Sequence, residues 1–313
     1  MQINVDNLDF DLRKPFQELT LALLEEYNDQ ILSIVVFGSG TTGDWIRGKS
    51  DVDFIIVTSD MTNRREVENF TNRVLMEISL KHDLRLNQTC SAFKKTDNPF
   101  INTISIIESF MTFGKPFFVL SKDQIDTIKG KIKDSRIQFV TSIFDSIAVF
   151  AAKIKQTGST IYGENLIKEL YVNRSTVEKI KAMIAPAWLV LVSFIVFPID
   201  AKLALSHSTK ATFWACEDAL FFLEHDLSSI DNEIRTLNKL LQNDCSVQFS
   251  HVREAIKLKP MLKSGIKIEK GLIIRFLYQT PLFIKALYSC TLNLWWRRQK
   301  QRQNPERLSM LSS

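Results

Sequence analysis

The sequence has few of the residues that mark a disulfide-rich or zinc-stabilised protein. Its 313 residues contain four scattered cysteines, and none of them forms a Cys-x-x-Cys pair. This spacing argues against a structural zinc site and is typical of a protein in a reducing compartment. The N-terminal segment MQINVDNLDF also lacks a basic start and an apolar core. We therefore expect no secretory signal and a cytoplasmic location.

The sequence also has no large excess of positive or negative charge and few long apolar segments. There are 40 Lys and Arg residues against 35 Asp and Glu, so the net charge of +5 permits an anionic partner without requiring one. The longest apolar run, residues 182–199, is at the lower limit for a membrane-spanning helix, and Pro186 and Pro198 shorten the helix that it can form. We expect a helix buried in the protein core here, and a membrane-associated protein is the less favoured alternative.

A glycine-rich turn after a short apolar segment is the first feature with functional content. Residues 31–37 (ILSIVVF) are apolar and β-branched, which predicts a buried strand. Gly38, Ser39 and Gly40 follow at once, and glycine permits both a sharp turn and a close approach of the backbone to a ligand. A short helix is expected over residues 41–46, and its free N–H groups would favour an anion such as phosphate.

Two aspartates follow on a second predicted strand. Asp51 and Asp53 precede the apolar residues 54–57 (FIIV), and alternate strand residues share one face of a sheet. Neighbouring carboxylates repel each other when they are dry and unpaired, and a divalent cation removes that cost. Mg²⁺ prefers one or two carboxylates together with substrate phosphates. The alternative is a solvated strand end with two surface acids, but the FIIV segment argues against a wholly exposed strand.

The joint pattern resembles the DNA polymerase beta-like nucleotidyltransferase superfamily over roughly residues 10–120. The signature of that superfamily is an apolar residue, Gly-Ser, a gap of about a dozen residues, and Asp-x-Asp between apolar residues. Phe37, Gly38-Ser39 and Asp51-Val52-Asp53 meet it here. The Gly43-Asp44 pair and the SDVDF segment are similar to bacterial small-molecule adenylyltransferases, such as those acting on aminoglycosides.

The resemblance implies a set of site residues. The nucleotide-binding residues would be Gly38, Ser39, Gly43 and Ser50, and the catalytic metal ligands would be Asp51, Asp53 and a third acid from a later strand. Two Mg²⁺ ions are implied, with Mn²⁺ as the alternative metal, in an in-line displacement that releases pyrophosphate.

Asp83 is the candidate for the third acid. Residues 83–89 (DLRLNQT) alternate polar and apolar side chains, which predicts a half-buried strand that begins at Asp83. By resemblance, Asp83 would bind the second metal and act as the general base toward the acceptor hydroxyl. The alternative is a surface aspartate at a strand start.

Strands that alternate with helices in the first part of the chain predict an α+β fold. We expect a nucleotidyltransferase-type mixed sheet with flanking helices over residues 1–133. The later pattern is helical and predicts an all-helical C-terminal domain over residues 134–313, ending in a basic tail with Trp295 and Trp296. Residues 159–164 are interpreted as a loop over the cleft, with Tyr162 either stacking on a base or packing in the core.

These features favour a metal-dependent nucleotidyltransferase. The favoured reaction transfers AMP from ATP to a hydroxyl group of a small molecule or a protein and releases pyrophosphate. Nucleotide addition to an RNA 3′ end is an alternative, supported by the basic tail. A catalytically inactive nucleotide-binding or interaction protein is another. No histidine has an arginine at the Arg-x4–6-His spacing of the ribonuclease domains that commonly accompany this superfamily, so no fused ribonuclease is expected.

Overall fold

The structure is a computed structural model that describes most of the chain. The described residues are 2–47, 50, 52–60, 64–84, 86, 116–126, 131–135, 137–138, 146–168, 170–242, 247, 249–264 and 266–303. The chain forms two compact units. The first comprises Met1–Glu178 with Leu227–Ser229, and the second comprises Lys179–Asp226 with Ile230–Ser313.

The first unit is built on a mixed four-stranded sheet. Its helices are α1 (Phe10–Tyr27), α2 (Ser39–Thr42), α3 (Arg64–His82) and α4 (Ile147–Thr157), and its strands are β1 (Ile31–Phe37), β2 (Asp53–Thr58), β3 (Phe117–Ser121), β4 (Ile125–Asp126), β5 (Lys131–Ile132) and β6 (Ser159–Gly163). The sheet order is β3-β2-β1-β6, with β1 antiparallel to β2 and β6 and with β2 parallel to β3, while β4 and β5 form a separate ribbon. The end of β1 therefore lies at the same sheet edge as the starts of its neighbours.

Both faces of the sheet are buried, which explains the continuous apolar segments. On β1, Ile34 and Val36 belong to a core cluster that also contains residues of α1 and α3, such as Phe16 and Leu75. The intervening strand residues belong to a second cluster, which contains Ile154 of α4. The predicted strand over residues 31–37 is confirmed. The predicted mixed sheet with flanking helices and a helical C-terminal region is also confirmed.

The division between the two units lies later than the predicted boundary at residues 133/134. Residues 159–163, which we interpreted as a loop, are strand β6, and this strand pairs with β1. Asp134 is 2% exposed and forms an ion pair with Arg64 of α3 at 2.7 Å. Residues 134–178 therefore belong to the sheet unit. The pairing of β6 with β1 connects distant parts of the chain, and a local sequence pattern does not reveal it.

The second unit is all helical. Helix α5 (Thr176–Ala182) leads into it, and the remaining helices are α6 (Ile184–Val196), α7 (Ala201–Phe222), α8 (Ile230–Leu241), α9 (Ser250–Ser264) and α10 (Lys270–Gln303). Helix α7 is central and packs against α6, α8, α9 and α10. Cys216 on α7 is a buried free thiol, whereas Cys290 on α10 is disulfide-bonded. The expected reducing compartment stays a prediction.

We predicted that the apolar segment over residues 182–199 forms a helix buried in the core. Helix α6 is instead buried on one side only. Residues Thr176–Val196 have the length and apolar composition of a membrane span, and 39% of the most apolar window is buried inside the protein. Length and composition alone are weak support for a span, because core helices of soluble proteins meet the same criteria. One face of α6 nevertheless carries large exposed apolar side chains, including Trp188 and Leu191.

Candidate active site

The site predicted from sequence lies where β1 ends and β2 begins. Phe37, the last residue of β1, is paired with Asp53, the first residue of β2. Asp53 and Gly38 are therefore neighbours across the edge of the sheet. Side chains alternate along a strand, so Asp53 lies on the same face as Ile55 and Val57, which belong to the core cluster with α4.

Gly38 directs the chain past the Asp53 carboxylate. Its φ of 72° and ψ of −141° are open to glycine and strained for other residues. A Cβ atom added at Gly38 would lie 3.5 Å from Asp53 Oδ2, so the carboxylate faces the turn at van der Waals distance. This is the juxtaposition of turn and acid that the sequence predicted.

A four-residue helix, α2, follows the turn. The Gly38 carbonyl accepts hydrogen bonds from the N–H groups of Thr41 and Thr42 at 3.1 and 3.2 Å. Gly40 brings α2 close to the core, because a Cβ there would lie 3.0 Å from Val52 Cγ1 and 3.1 Å from Leu12 Cδ1. The helix expected over residues 41–46 is thus shorter and begins earlier, at Ser39. The first N–H groups of a helix lie outside its internal hydrogen-bond ladder, and a helix start of this kind favours an anion.

Gly43 ends α2, and its backbone conformation, not a lack of room for a side chain, explains the glycine. Its φ of 80° and ψ of 5° are left-handed, and no atom lies within 4 Å of a Cβ added there. Glycine is favoured at this position because it adopts the left-handed helix cap without strain. Gly43 therefore has a structural role, and its predicted contact with the nucleotide stays a prediction.

Ser50 closes the loop between α2 and β2. Its hydroxyl accepts a hydrogen bond from the N–H of Ile46 at 3.1 Å, and its own N–H donates to the Ile46 carbonyl at 2.8 Å. Arg47 in the same loop forms an ion pair with Asp11 of α1 at 3.1 Å and donates to the His82 carbonyl at 3.2 Å. These contacts give Ser50 a structural role, and its predicted contact with the nucleotide stays a prediction.

Thr157, the last residue of α4, is a site residue that the sequence did not indicate. Its hydroxyl accepts a hydrogen bond from the N–H of Gly38 at 3.0 Å and donates to the Lys153 carbonyl at 2.7 Å. Its carbonyl accepts from the Thr41 hydroxyl at 2.6 Å. The end of α4 therefore holds both ends of the turn. No local signal could have predicted it, since Thr157 and Gly38 are 119 residues apart.

Asp83 does not begin a strand. Helix α3 continues to His82, and Asp83 follows it as an exposed residue with a φ of 51°. The next residue, Leu84, is buried and donates its N–H to the Ser79 carbonyl at 2.9 Å, as in a helix C-cap. The predicted strand start is therefore wrong, because α3 continues to His82 and ends in a left-handed turn that aspartate tolerates. Asp83 as the third acid stays a prediction.

The described residues contribute one of the three predicted metal ligands to the turn. Asp53 faces Gly38, whereas Asp51 lies outside the described residues. Within the part of the chain that the structure describes, no group of three or more His, Cys, Asp or Glu side chains could hold a metal ion. One or two carboxylates completed by substrate phosphates are nevertheless the usual ligands of Mg²⁺, so Asp53 fits such a site.

The structure also describes the residues that we considered for base stacking and for RNA contact. Tyr162 is a buried member of the core cluster with α1 and α3, which confirms the packing interpretation. Trp295 packs edge-on against Phe222 of α7, with the ring centroids 5.5 Å apart. Of the two adjacent tryptophans, Trp296 is the exposed one.

A comparison with known families identifies the domain that contains this site. Residues 17–108 match the nucleotidyltransferase domain family. The chain carries a nucleotidyltransferase domain. The match includes the Gly38 turn and β2, so the predicted superfamily and the class of enzyme, a nucleotidyltransferase, are both confirmed.

One solved structure has a similar fold over most of this chain. It is a spectinomycin adenyltransferase from Enterococcus faecialis, determined with ATP and spectinomycin. The alignment covers 87% of this chain and 98% of the other, with 15% sequence identity and a TM-score of 0.50. At this identity the similarity shows a common fold. No curated protein matches the chain in sequence.

Proposed function

We propose that this nucleotidyltransferase transfers AMP from ATP to a hydroxyl group of a small molecule and releases pyrophosphate. The observation that carries the proposal is the position of Asp53 Oδ2 beside the Gly38 turn, at the N-terminus of α2 and inside the matched domain. A carboxylate beside a phosphate-binding turn is the arrangement that a metal-chelated triphosphate requires. The structure with a similar fold was determined with ATP and a small molecule, which supports the choice of both substrates.

In this proposal Asp53, together with Asp51, holds Mg²⁺ against the triphosphate. When bound, the metal neutralises charge that develops on the phosphate oxygens and aligns the reacting groups. Mn²⁺ is the alternative ion, and a second metal would require Asp83. The fit rests on Asp53, whose carboxylate is next to the turn and is only partly buried.

The chain itself binds and orients the triphosphate. In this proposal the N–H groups of Ser39 and Gly40, at the start of α2, donate to phosphate oxygens. Thr157 takes the N–H of Gly38 and fixes the direction of the turn. Phosphoryl and nucleotidyl transfers depend mainly on such positioning and on electrostatic stabilisation.

The reaction is tested by measuring pyrophosphate release with Mg²⁺, ATP and candidate acceptors that carry hydroxyl groups, starting with spectinomycin. We expect release from the wild type, and at least a hundredfold less from Asp53→Asn because the metal loses a charged ligand. Asp29→Asn, at an exposed position after α1, is the matched control and should remain active. Equal activity in Asp53→Asn and the wild type would contradict the proposal.

A nucleotide-binding protein without turnover is the second candidate. The observation that favours it is the position of Asp83, which lies in an exposed helix cap instead of on the predicted strand. Magnesium-dependent ATP binding by calorimetry, without pyrophosphate release for any acceptor, would select this function. Turnover that is abolished by Asp83→Asn would exclude it and would assign the third acid. For either function we propose a cytoplasmic location.

A further inference from the structure

Helix α6 presents an apolar face to solvent. Ile184, Trp188, Leu191 and Ile195 follow one another at intervals of three or four residues, so they lie along one side of the helix. All four are exposed, and Ile184 and Leu191 retain 52% and 50% of their surface. Helix α6 contains no charged residue. Large apolar side chains that are exposed side by side form a contiguous patch, and such patches mark interaction sites.

Helix α10 extends this face. Its exposed apolar side chains, Ile274, Tyr278, Leu282, Leu292 and Trp296, also lie on one side of the helix. Tyr278 contacts Phe194 of α6, with the ring centroids 5.6 Å apart, so the stripe on α10 borders helix α6. We call the combined surface the α6/α10 face. Leu282 and Tyr278 are 67% and 65% exposed.

The charges on this face have one sign. Lys285 and Lys300 lie on the same side of α10 as the apolar stripe, and Lys300 Nζ is 3.5 Å from the centroid of the Trp296 ring. Helix α10 has no acidic residue along its length, and neither does α6. Long lysine side chains can extend from an apolar surface toward an anionic layer while their methylene groups remain buried.

This charge pattern distinguishes between two possible occupants. If a second copy of the chain covered the face through the same surface, Lys285 and Lys300 would meet only uncharged residues or other basic residues, which is costly at a dry interface. An anionic phospholipid layer supplies the missing charge, and tryptophan and tyrosine beside lysine are typical of helices that lie in the membrane interface. The observations therefore favour a lipid surface.

We propose that the α6/α10 face binds the protein reversibly to the surface of an anionic membrane. The apolar stripes of both helices enter the boundary between headgroups and acyl chains, and Lys285 and Lys300 contact the anionic headgroups. Neither helix spans the bilayer. The proposal is independent of the nucleotidyl transfer, because no residue of the Gly38 turn belongs to the face.

Vesicle co-sedimentation of the full chain tests the proposal. We expect the protein to pellet with vesicles of phosphatidylcholine and phosphatidylglycerol, less with phosphatidylcholine alone, and less again in high salt. Leu191→Ser and Leu282→Ser should each lower the partition coefficient about tenfold, because each removes a buried leucine from the lipid contact. Leu80→Ser is the matched control, since this leucine of α3 is 83% exposed and lies outside the face.

A charge variant separates the electrostatic part of the binding. The double variant Lys285→Gln and Lys300→Gln should lose at least tenfold in binding to the anionic vesicles, with little change for phosphatidylcholine alone. Wild-type protein that stays in the supernatant with both vesicle types would overturn the proposal. So would an equal loss in Leu80→Ser. Light scattering that shows a wild-type dimer, converted to a monomer by Leu191→Ser, would assign the face to a second copy instead.

Discussion

The backbone N–H of Gly38 donates a hydrogen bond to the hydroxyl of Thr157 at 3.0 Å. Because that hydroxyl donates in turn to the Lys153 carbonyl, its hydrogen atom is already engaged and its lone pair faces the turn. The turn that carries the proposed phosphate site is thereby attached to the end of α4. The direction of the first N–H groups of α2 depends on this attachment as well as on the sequence of the turn.

Replacing Thr157 tests whether this attachment positions the nucleotide. Thr157→Val keeps the shape and removes the acceptor, so the Gly38 N–H loses its partner at a cost of about 1–3 kcal/mol. We expect the KM for ATP to rise about tenfold or more, with a smaller change in kcat, because the phosphate donors are misdirected. Thr157→Ser retains the hydroxyl and should restore the wild-type KM.

The comparison of the two Thr157 variants separates positioning from folding. Thermal unfolding of Thr157→Val should show a cooperative transition like that of the wild type, since Thr157 lies at the end of a helix. An unchanged KM in a folded Thr157→Val protein would show that the contact is structural only.

Gly38→Ala tests the conformation of the turn. A φ of 72° with a ψ of −141° would strain alanine by about 1–3 kcal/mol, although a methyl group 3.5 Å from Asp53 Oδ2 is at an ordinary contact distance. We therefore expect a lower free energy of unfolding in urea and weaker magnesium-dependent ATP binding by calorimetry. Gly43→Ala, at a φ of 80° with no neighbour within 4 Å, is the control for strain without contact with Asp53.

The two glycine variants should differ in the binding of ATP. Both should lower the unfolding free energy, because both positions have a φ that L side chains rarely adopt, and Gly38→Ala should lower it more, since the ψ of −141° at Gly38 lies outside the left-handed helical region of Gly43. The loss of ATP affinity should be larger in Gly38→Ala. If Gly43→Ala weakens ATP binding as much, the site depends on the whole of α2 and not on the position of Gly38 beside Asp53.

The sequence predicted the parts of the site that are encoded locally. The apolar segment before Gly38 and the acidic start of β2 identified both strands and their junction, because buried strands and turn glycines leave compact patterns. Thr157 and strand β6 were not predictable, since the contact of Thr157 with Gly38 and the pairing of β6 with β1 each join residues more than a hundred positions apart. We predicted that Asp83 begins a strand, but it follows the end of α3. Polar and apolar residues can also alternate where a helix ends, which explains the error.

Breaking the ion pair between Arg64 and Asp134 tests whether residue 134 belongs to the first unit. Asp134 is nearly inaccessible, and Arg64 also binds Glu68 at 2.9 Å. Burial lowers the pKa of the Arg64 guanidinium, but its bonds to Glu68 and Asp134 outweigh burial and raise that pKa overall. Arg64→Leu would leave a buried carboxylate without this partner, and we expect a loss of about 3–5 kcal/mol in the free energy of unfolding.

A second substitution makes the Arg64 experiment decisive. Arg64→Leu combined with Asp134→Leu removes both charges, so much of the lost stability should return. Urea unfolding followed by circular dichroism measures the three proteins. If Arg64→Leu unfolds at the same urea concentration as the wild type, residue 134 is not a fixed part of the sheet unit.

His251 gives the helical unit a pH-dependent stability. Its Nε2 lies 3.1 Å from the hydroxyl of Thr280, and its ring stacks on Phe276 with the centroids 4.3 Å apart. Burial lowers the pKa of His251 to about 4, against a smaller opposing effect of Glu254 and Gln279. Because the unfolded chain binds this proton near pH 6.5, the unfolded state holds more protons between pH 6.5 and 4. Stability should fall by about 1.4 kcal/mol per pH unit in that range as the pH is lowered.

The variant His251→Phe isolates this contribution. Phenylalanine keeps a ring against Phe276, and the hydroxyl of Thr280 still donates to the Phe276 carbonyl at 2.9 Å. We expect the free energy of unfolding of the variant to depend less steeply on pH between 6.5 and 4, by close to one proton, while the two proteins have the same slope above pH 7. The slopes come from urea unfolding at several pH values. Identical slopes below pH 6.5 would mean that His251 is protonated in the folded protein as readily as in the unfolded chain, contrary to its burial.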